Sequence, residues 1–196
     1  MKILNLYAGI GGNRKLWPNE HEITAVEINP NIAKIYGDFF PNDKMIVEDA
    51  HQYLLDHHKE FDFIWSSPPC PSHSQVNHFL NAQGVVRYPD MALWQEIIFL
   101  KYFCKIKYCV ENVKSYYEPI YLPQRIGRHY FWCNFSIGGY GGSLLSVGRF
   151  GNTKKGRTDE TDILKRNCVE PELGLHILNE SQKNEQQTGI WMKEYK

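Results

Sequence analysis

Strand-sized apolar runs alternate with helical patterns through the first two-thirds of the chain, and this alternation constrains the fold more than any other feature. ILNLY (3–7) reads as a buried strand that runs into the glycine turn AGIGG. EITAVE (22–27), KMIVED (44–49), FDFIWS (61–66) and KYCVEN (107–112) read as four more strands. Between them, Ile32 to Phe40 has helical spacing, AHQYLLDHH is a second helix, and Tyr88-Pro89-Asp90 opens a long amphipathic one, MALWQEIIFLKYF. Strands alternating with helices build βαβ units, with a mostly parallel sheet and helices on both faces. The expected class is therefore α/β. In such sheets ligands bind outside the carboxyl ends of the strands. Those ends carry AGIGG, Glu27, Asp49, the SPPC loop and Glu111-Asn112. Five polar or glycine-rich clusters on one edge predict a site rather than a purely structural domain.

After residue 128 the pattern changes. HYFWCNF is strand-like and aromatic, IGGYGGSLLSVGRFGNTKKGRTDET is glycine-rich and basic, and CVEPELGLHILNES reads as a short helix with Pro171 near its start. The tail from Gln182 is polar and expected to be loosely held. One compact domain is predicted: a core over 1–136, a basic segment over 137–165, and a C-terminal segment, 166–196, packing back on the core. The net charge is zero, yet residues 124–166 hold 8 Lys and Arg against 3 Asp and Glu. A basic patch on a neutral protein is a footprint for a polyanion. No apolar run approaches the ~20 residues of a membrane span, and MKILNLYAG does not read as a secretory leader. The 5 cysteines form no CxxC pair. That argues against a disulfide framework or zinc site, predicts no metal, and fits a reducing cytoplasm. Cys104, Cys109, Cys133 and Cys168 read as ordinary buried small residues.

Three motifs carry chemistry. NLYAGIGG (5–12) puts glycines straight after a strand, where backbone can approach a ligand closely. It lacks the GxGxxG spacing of a dinucleotide site, which favours a ligand with a carboxylate and no phosphates. Glu27, at a strand end, is placed to accept from ribose hydroxyls. In SPPCPSHS (67–74) two prolines stiffen a strand end and a thiol follows at once. Only a thiolate attacks, so a reactive Cys needs a polar, partly exposed setting. In VENV (110–113) an acid and an amide end the fifth strand.

Taken together and in this order, the motifs resemble those of the cytosine-5 DNA methyltransferase family over nearly the whole chain. NLYAGIGG is similar to its first motif, SPPCPSHS to its Pro-Cys loop, ENV to its Glu-Asn-Val, QRIGRHYFW (124–132) to its Gln-x-Arg-x-Arg element, and RNCVEPELGLHIL (166–178) to its closing motif. The resemblance implies a Rossmann-like methyltransferase fold with S-adenosyl-L-methionine as cofactor. Tyr7, Ala8, Gly9, Gly11, Gly12, Glu27, Ile28, Asp49, Ala50, Pro68 and Asn167 fall where the cofactor is bound. It implies a Cys70 nucleophile assisted by Glu111, Asn112, Arg125 and Arg128, acting on a cytosine flipped out of double-stranded DNA. Loop 73–90 is the natural lid. Ser74, Arg87, Arg149, Lys154, Lys155 and Arg157 are the expected DNA contacts. Asn5, Tyr7 and Pro71 replace the family's Asp, Phe and Gln, Ile126 stands at the first Arg of QRIGR with Arg125 beside it, and Arg166 stands at a Gly.

The family has a much larger recognition region, whereas about 30 residues separate QRIGRHYFW from RNCV. Short or degenerate specificity is expected, as in compact phage-type enzymes, unless a second chain supplies target recognition. Two other readings stay open from the residues: an exocyclic amino-methyltransferase, since SPPC is close to Ser-Pro-Pro-aromatic, and an inactive DNA-binding subunit. RNA also stays open as a substrate.

Overall fold

The computed structural model describes residues 1–142 and 168–183. In chain order these form β1 (Lys2–Leu6), β2 (Glu22–Val26), α1 (Pro30–Phe39), β3 (Lys44–Ile46), α2 (Ala50–His57), β4 (Phe63–Ser66), α3 (Val76–Ala82), α4 (Ala92–Phe103), β5 (Lys107–Val113), β6 (Gln124–Ile126), β7 (His129–Cys133) and α5 (Pro171–Gln182). The strands make one seven-stranded sheet in the order β3-β2-β1-β4-β5-β7-β6. β1 to β5 are parallel, and β7 runs antiparallel between β5 and β6. The expected mostly parallel α/β sheet is observed.

Side chains alternate across a strand, so each strand feeds two cores. Leu4, Leu6, Ile64, Val110 and Trp132 face α2 and α4, meeting Leu54, Trp94, Ile97 and Leu100. Ile3, Ile23, Phe63, Trp65, Cys109 and Phe131 face the other way, onto Leu173, Ile177 and Leu178 of α5. β1 is central, and Ile3, Leu4, Asn5 and Leu6 are all 0% exposed. That is why its sequence reads as a continuous run rather than an alternation.

Element ends follow from local chemistry. Asn29 caps α1, its Oδ1 accepting from Asn31 N at 2.9 Å, with Pro30 at the first turn. Asp49 caps α2 by accepting from Gln52 N at 2.8 Å. β3 therefore stops at Ile46, short of the expected Asp49, because that carboxylate belongs to the next helix. β4 begins at Phe63 rather than Phe61, since Asp62 turns its Oδ2 to Lys2 N. The helix expected over MALWQEIIFLKYF is observed from Ala92, with Asp90 Oδ1 accepting from Ala92 N at its start. Two elements were not expected: α3, inside the loop 73–90, and β6, which pairs with β7 across Gly127 at φ +58°. Of the four cysteines read as buried, only Cys109 is; Cys104 and Cys133 are half-buried at the margins of the two cores, and Cys168 is half-buried against Gly12. Among the described residues no helix is long and apolar enough to cross a membrane.

Candidate active site

The site assembles at the carboxyl edge. Beyond Leu6 the chain turns sharply, and Tyr7 is the one described non-glycine residue with positive φ, at 52°. Such a conformation costs a bulky side chain on the order of 1 kcal/mol. An acid holds it there: Tyr7 OH donates to Glu96 Oε2 at 2.9 Å. Glu96 is fully buried on α4 and also takes Ser66 Oγ and His51 Nδ1. Sequence reasoning missed this acid. The signal was an acid at a core position between Trp94 and Ile97, which amphipathic spacing alone passes over.

The three glycines of the turn differ. Gly9, at φ +56°, faces open space, and its N–H donates to Glu27 Oε2 at 3.1 Å. A side chain at Gly11 would strike the Phe40 ring, and one at Gly12 would strike Cys168. Those two permit close packing of the chain on itself. Ala8 is buried, its N–H bonded to Val26 O. Glu27 Oε1 accepts from Asn29 N at 3.0 Å, so the carboxylate is fixed at the end of β2. Ile28 beside it is 64% exposed, and exposed Asp49 lies at the next strand end, followed by buried Ala50. A held carboxylate for a ribose diol, an apolar side chain for a base face, a second acid for an exocyclic amine and an unobstructed glycine backbone fit S-adenosylmethionine. No group of His, Cys, Asp and Glu among the described residues is arranged to hold a metal ion.

Cys70 follows buried Pro68 and exposed Pro69 and is itself half-buried. Asn112 Nδ2 donates to Pro68 O and Asn77 Nδ2 to Pro71 O, both at 2.9 Å. Cys70 O accepts from His73 N at 3.0 Å and Ser74 N at 3.2 Å. Downstream, Ser74 bridges to Ser115, and His73 Nδ1 lies 2.6 Å from Tyr117 OH. The thiol thus stands on a loop pinned on both sides to the end of β5. Burial pushes the Cys70 thiol up, the Glu111 charge adds to this, and Arg128 pulls the other way.

Behind Cys70 lies a buried charged cluster. His129 Nδ1 is 2.6 Å from Glu111 Oε1, and His129 Nε2 is 3.4 Å from Glu170 Oε2. Arg128 Nε donates to His129 Nε2 at 3.1 Å, and its Nη2 is 3.7 Å from Glu170 Oε1. Glu111, His129 and Glu170 are all buried. Sheet register explains the meeting of the first two: Glu111 pairs with Phe131, so His129 is its diagonal neighbour on the same face. Neither His129 nor Glu170 was singled out from sequence. They lie beside the Arg128 and Pro171 positions that drew attention, and only pairing brings them to Glu111.

The structure therefore brings Cys70, Asn112, Glu111 and Arg128 together. Arg125 is exposed, and its Nε donates to Gly127 O at 3.0 Å. Ser74 is half-buried, and exposed Arg87 gives its carbonyl to Tyr116 OH. Arg149, Lys154, Lys155, Arg157, Arg166 and Asn167 lie outside the described residues, as does nearly all of the basic segment.

A sheet ordered 3-2-1-4-5-7-6, with a glycine turn after the first strand and an acid after the second, defines a Rossmann-like α/β methyltransferase. Within that class, the chain belongs to the C-5 cytosine-specific DNA methylase family, whose sequence model matches residues 1–115. That membership supports a DNA methyltransferase that draws on S-adenosylmethionine and has DNA as its substrate. Similar solved structures include a Spodoptera frugiperda DNMT2 mutant, 29% identical, at a TM-score of 0.42. A prophage-encoded putative DNA modification methyltransferase from E. coli is 18% identical, at 0.41. The putative methyltransferase yhhF from Escherichia coli is 13% identical, at 0.44. These matches cover 58%, 60% and 67% of this chain, and 35%, 33% and 73% of the respective relatives. The chain thus spans about a third of the DNMT2 and prophage proteins it matches. No curated protein matches it.

Proposed function

We propose that this protein methylates carbon 5 of cytosine in double-stranded DNA through a covalent Cys70 adduct on a flipped base. The observation that carries the reading is the placement of Cys70. It stands on a loop clasped to β5 by Asn112, with the Glu111 and Arg128 charges acting on its thiol. Cytosine carbon 5 is a poor nucleophile until carbon 6 has been attacked. The Cys70 thiolate supplies that attack once its proton has left to solvent. Glu111 faces ring nitrogen 3, and Arg128 is the cation beside both the thiol and the developing charge. Asn112 keeps the loop registered with the strand that carries Glu111. S-adenosylmethionine, when bound, supplies the electrophilic methyl group. Glu27, Ile28 and Asp49 hold it, with Gly9 leaving room for its approach. Loss of the carbon 5 proton then re-forms the ring double bond and expels the Cys70 thiolate.

The test is incubation of the protein with labelled S-adenosylmethionine and mixed-sequence unmethylated DNA, followed by nucleoside mass spectrometry. Label is expected in 5-methylcytosine and is abolished in Cys70→Ala. Label in an exocyclic amine, or full activity in Cys70→Ala, overturns the reading.

A further inference from the structure

The cluster behind Cys70 contains one group that the proposed chemistry has not used. We infer that His129, backed by Glu170, is a positioning residue that holds a proton for relay through Glu111 to cytosine nitrogen 3. This rests on the function proposed above and assigns the origin of its proton.

A lone carboxylic acid ordinarily ionises near 4.3 and carries no proton at neutral pH. Glu111 can donate to nitrogen 3 only if a neighbour keeps a proton within reach. His129 Nδ1, 2.6 Å from Glu111 Oε1, is that neighbour. The far side of the ring meets two opposed groups. Arg128 Nε, at 3.1 Å, donates to Nε2 only while that atom bears no proton, whereas the Glu170 Oε2 charge, 3.4 Å away, favours the charged ring. Burial opposes charge on His129, but the hydrogen bonds and charges of Glu111 and Glu170 outweigh it and push the ring up to about 9. Glu170 is itself held down: burial raises it, and His129 and Arg128 more than compensate. The Cys70 and Cys168 thiols also feel this cluster, each raised by the Glu111 charge and lowered by that of Arg128.

The proton inventory balances. As the Cys70 sulfur bonds to carbon 6, the carbon 5–carbon 6 π pair becomes the carbon 4–carbon 5 double bond. The carbon 4–nitrogen 3 π pair becomes a lone pair on nitrogen 3, which takes a proton relayed through the Glu111 carboxylate. That proton comes from His129 Nδ1, leaving Glu111 ionised and the ring neutral, with its remaining proton on Nε2 on the Glu170 side. Carbon 5 takes the methyl group with the carbon 4–carbon 5 pair, which restores the carbon 4–nitrogen 3 double bond. When the carbon 5 proton leaves to solvent and the thiolate is expelled, nitrogen 3 returns its proton through Glu111 to His129. The pair ends the cycle as it began.

The test combines two variants and two readouts. His129→Asn keeps a donor near the Nδ1 position but cannot be a proton reservoir. Glu170→Gln keeps the shape behind the ring and removes the charge. Single-turnover methylation is followed from about pH 6 to pH 10, with nitrogen NMR of the His129 ring in the free protein. The wild-type rate should pass through a maximum and fall as the ring loses its proton. His129→Asn should lose about 10²-fold in rate, keep its KM for DNA, and show no fall at high pH. The His129 ring should titrate well above an ordinary histidine, and lower in Glu170→Gln. A His129→Asn enzyme with wild-type rate and pH profile overturns the inference while leaving the proposed function standing. So does a ring that titrates as an ordinary histidine, a result readable even if the Asn variant fails to fold. A wild-type protein that forms no 5-methylcytosine at any pH overturns both.

Discussion

His129 shows how a single side chain can set the behaviour of its surroundings. Its ring is held above the usual histidine value, at about 9, by two buried carboxylates. The unfolded chain returns it to about 6.5. A basic group raised by folding contributes its stability in full below the unfolded value, and loses it as pH climbs through the folded one. The wild-type protein should therefore lose on the order of 3 kcal/mol from this group between about pH 6.5 and 9. Urea unfolding at steps across that window, compared with His129→Asn, checks it. Equal slopes in the two proteins would show that the cluster stores no such energy. The residues legible in the sequence were those whose type is unusual for their place, such as a thiol after two prolines or an acid and amide ending a strand. His129 and Glu96 were not legible, because a histidine in an aromatic strand and a glutamate in a helix are unremarkable until pairing shows what they face.

At the scale of elements, the parallel strands were readable because burial on both faces leaves long apolar runs. Their ends were less so. Asp49 is where this matters most, since one carboxylate caps α2 and also lies on the ligand edge. The two roles separate chemically, because Asn caps a helix as well as Asp does. Asp49→Asn should leave the thermal midpoint unchanged while weakening S-adenosylmethionine binding by calorimetry. Asp49→Ala should in addition cost about 1 kcal/mol of stability. If Asp49→Asn binds the ligand as the wild type does, the carboxylate has only its capping role. The short elements escaped the sequence for a physical reason. α3 leaves Val76 and Phe79 exposed, so it carries no core-facing stripe, and β6 is three residues held by pairing rather than by pattern.

At the scale of the molecule, the glycine turn and the last described helix are one packed unit. Gly12 lies against Cys168, and a side chain at Gly174 of α5 would strike Asn13, with its Cα only 2.9 Å away. Asn13 in turn donates to Asn5 Oδ1 on β1 at 2.9 Å. Gly174→Ala should cost about 1–3 kcal/mol, as overpacking against backbone does. It should also weaken S-adenosylmethionine binding, because the displaced segment leads back into the turn. Thermal unfolding and calorimetry on the same variant test this, and unchanged values in both would mean that α5 can shift without disturbing the edge.

The order of the chain gives that packing a consequence in time. The seven described strands have all been synthesised once Cys133 is added, but α5 ends at Gln182, roughly 50 residues later. At about 5–20 residues per second, the nascent sheet waits some 3 to 10 seconds for its cover. During that interval Ile3, Phe63, Trp65 and Phe131 present a bare aromatic face. The period of greatest aggregation hazard thus falls during synthesis, when a holding chaperone has its opportunity, and it closes with the arrival of Leu173, Ile177 and Leu178.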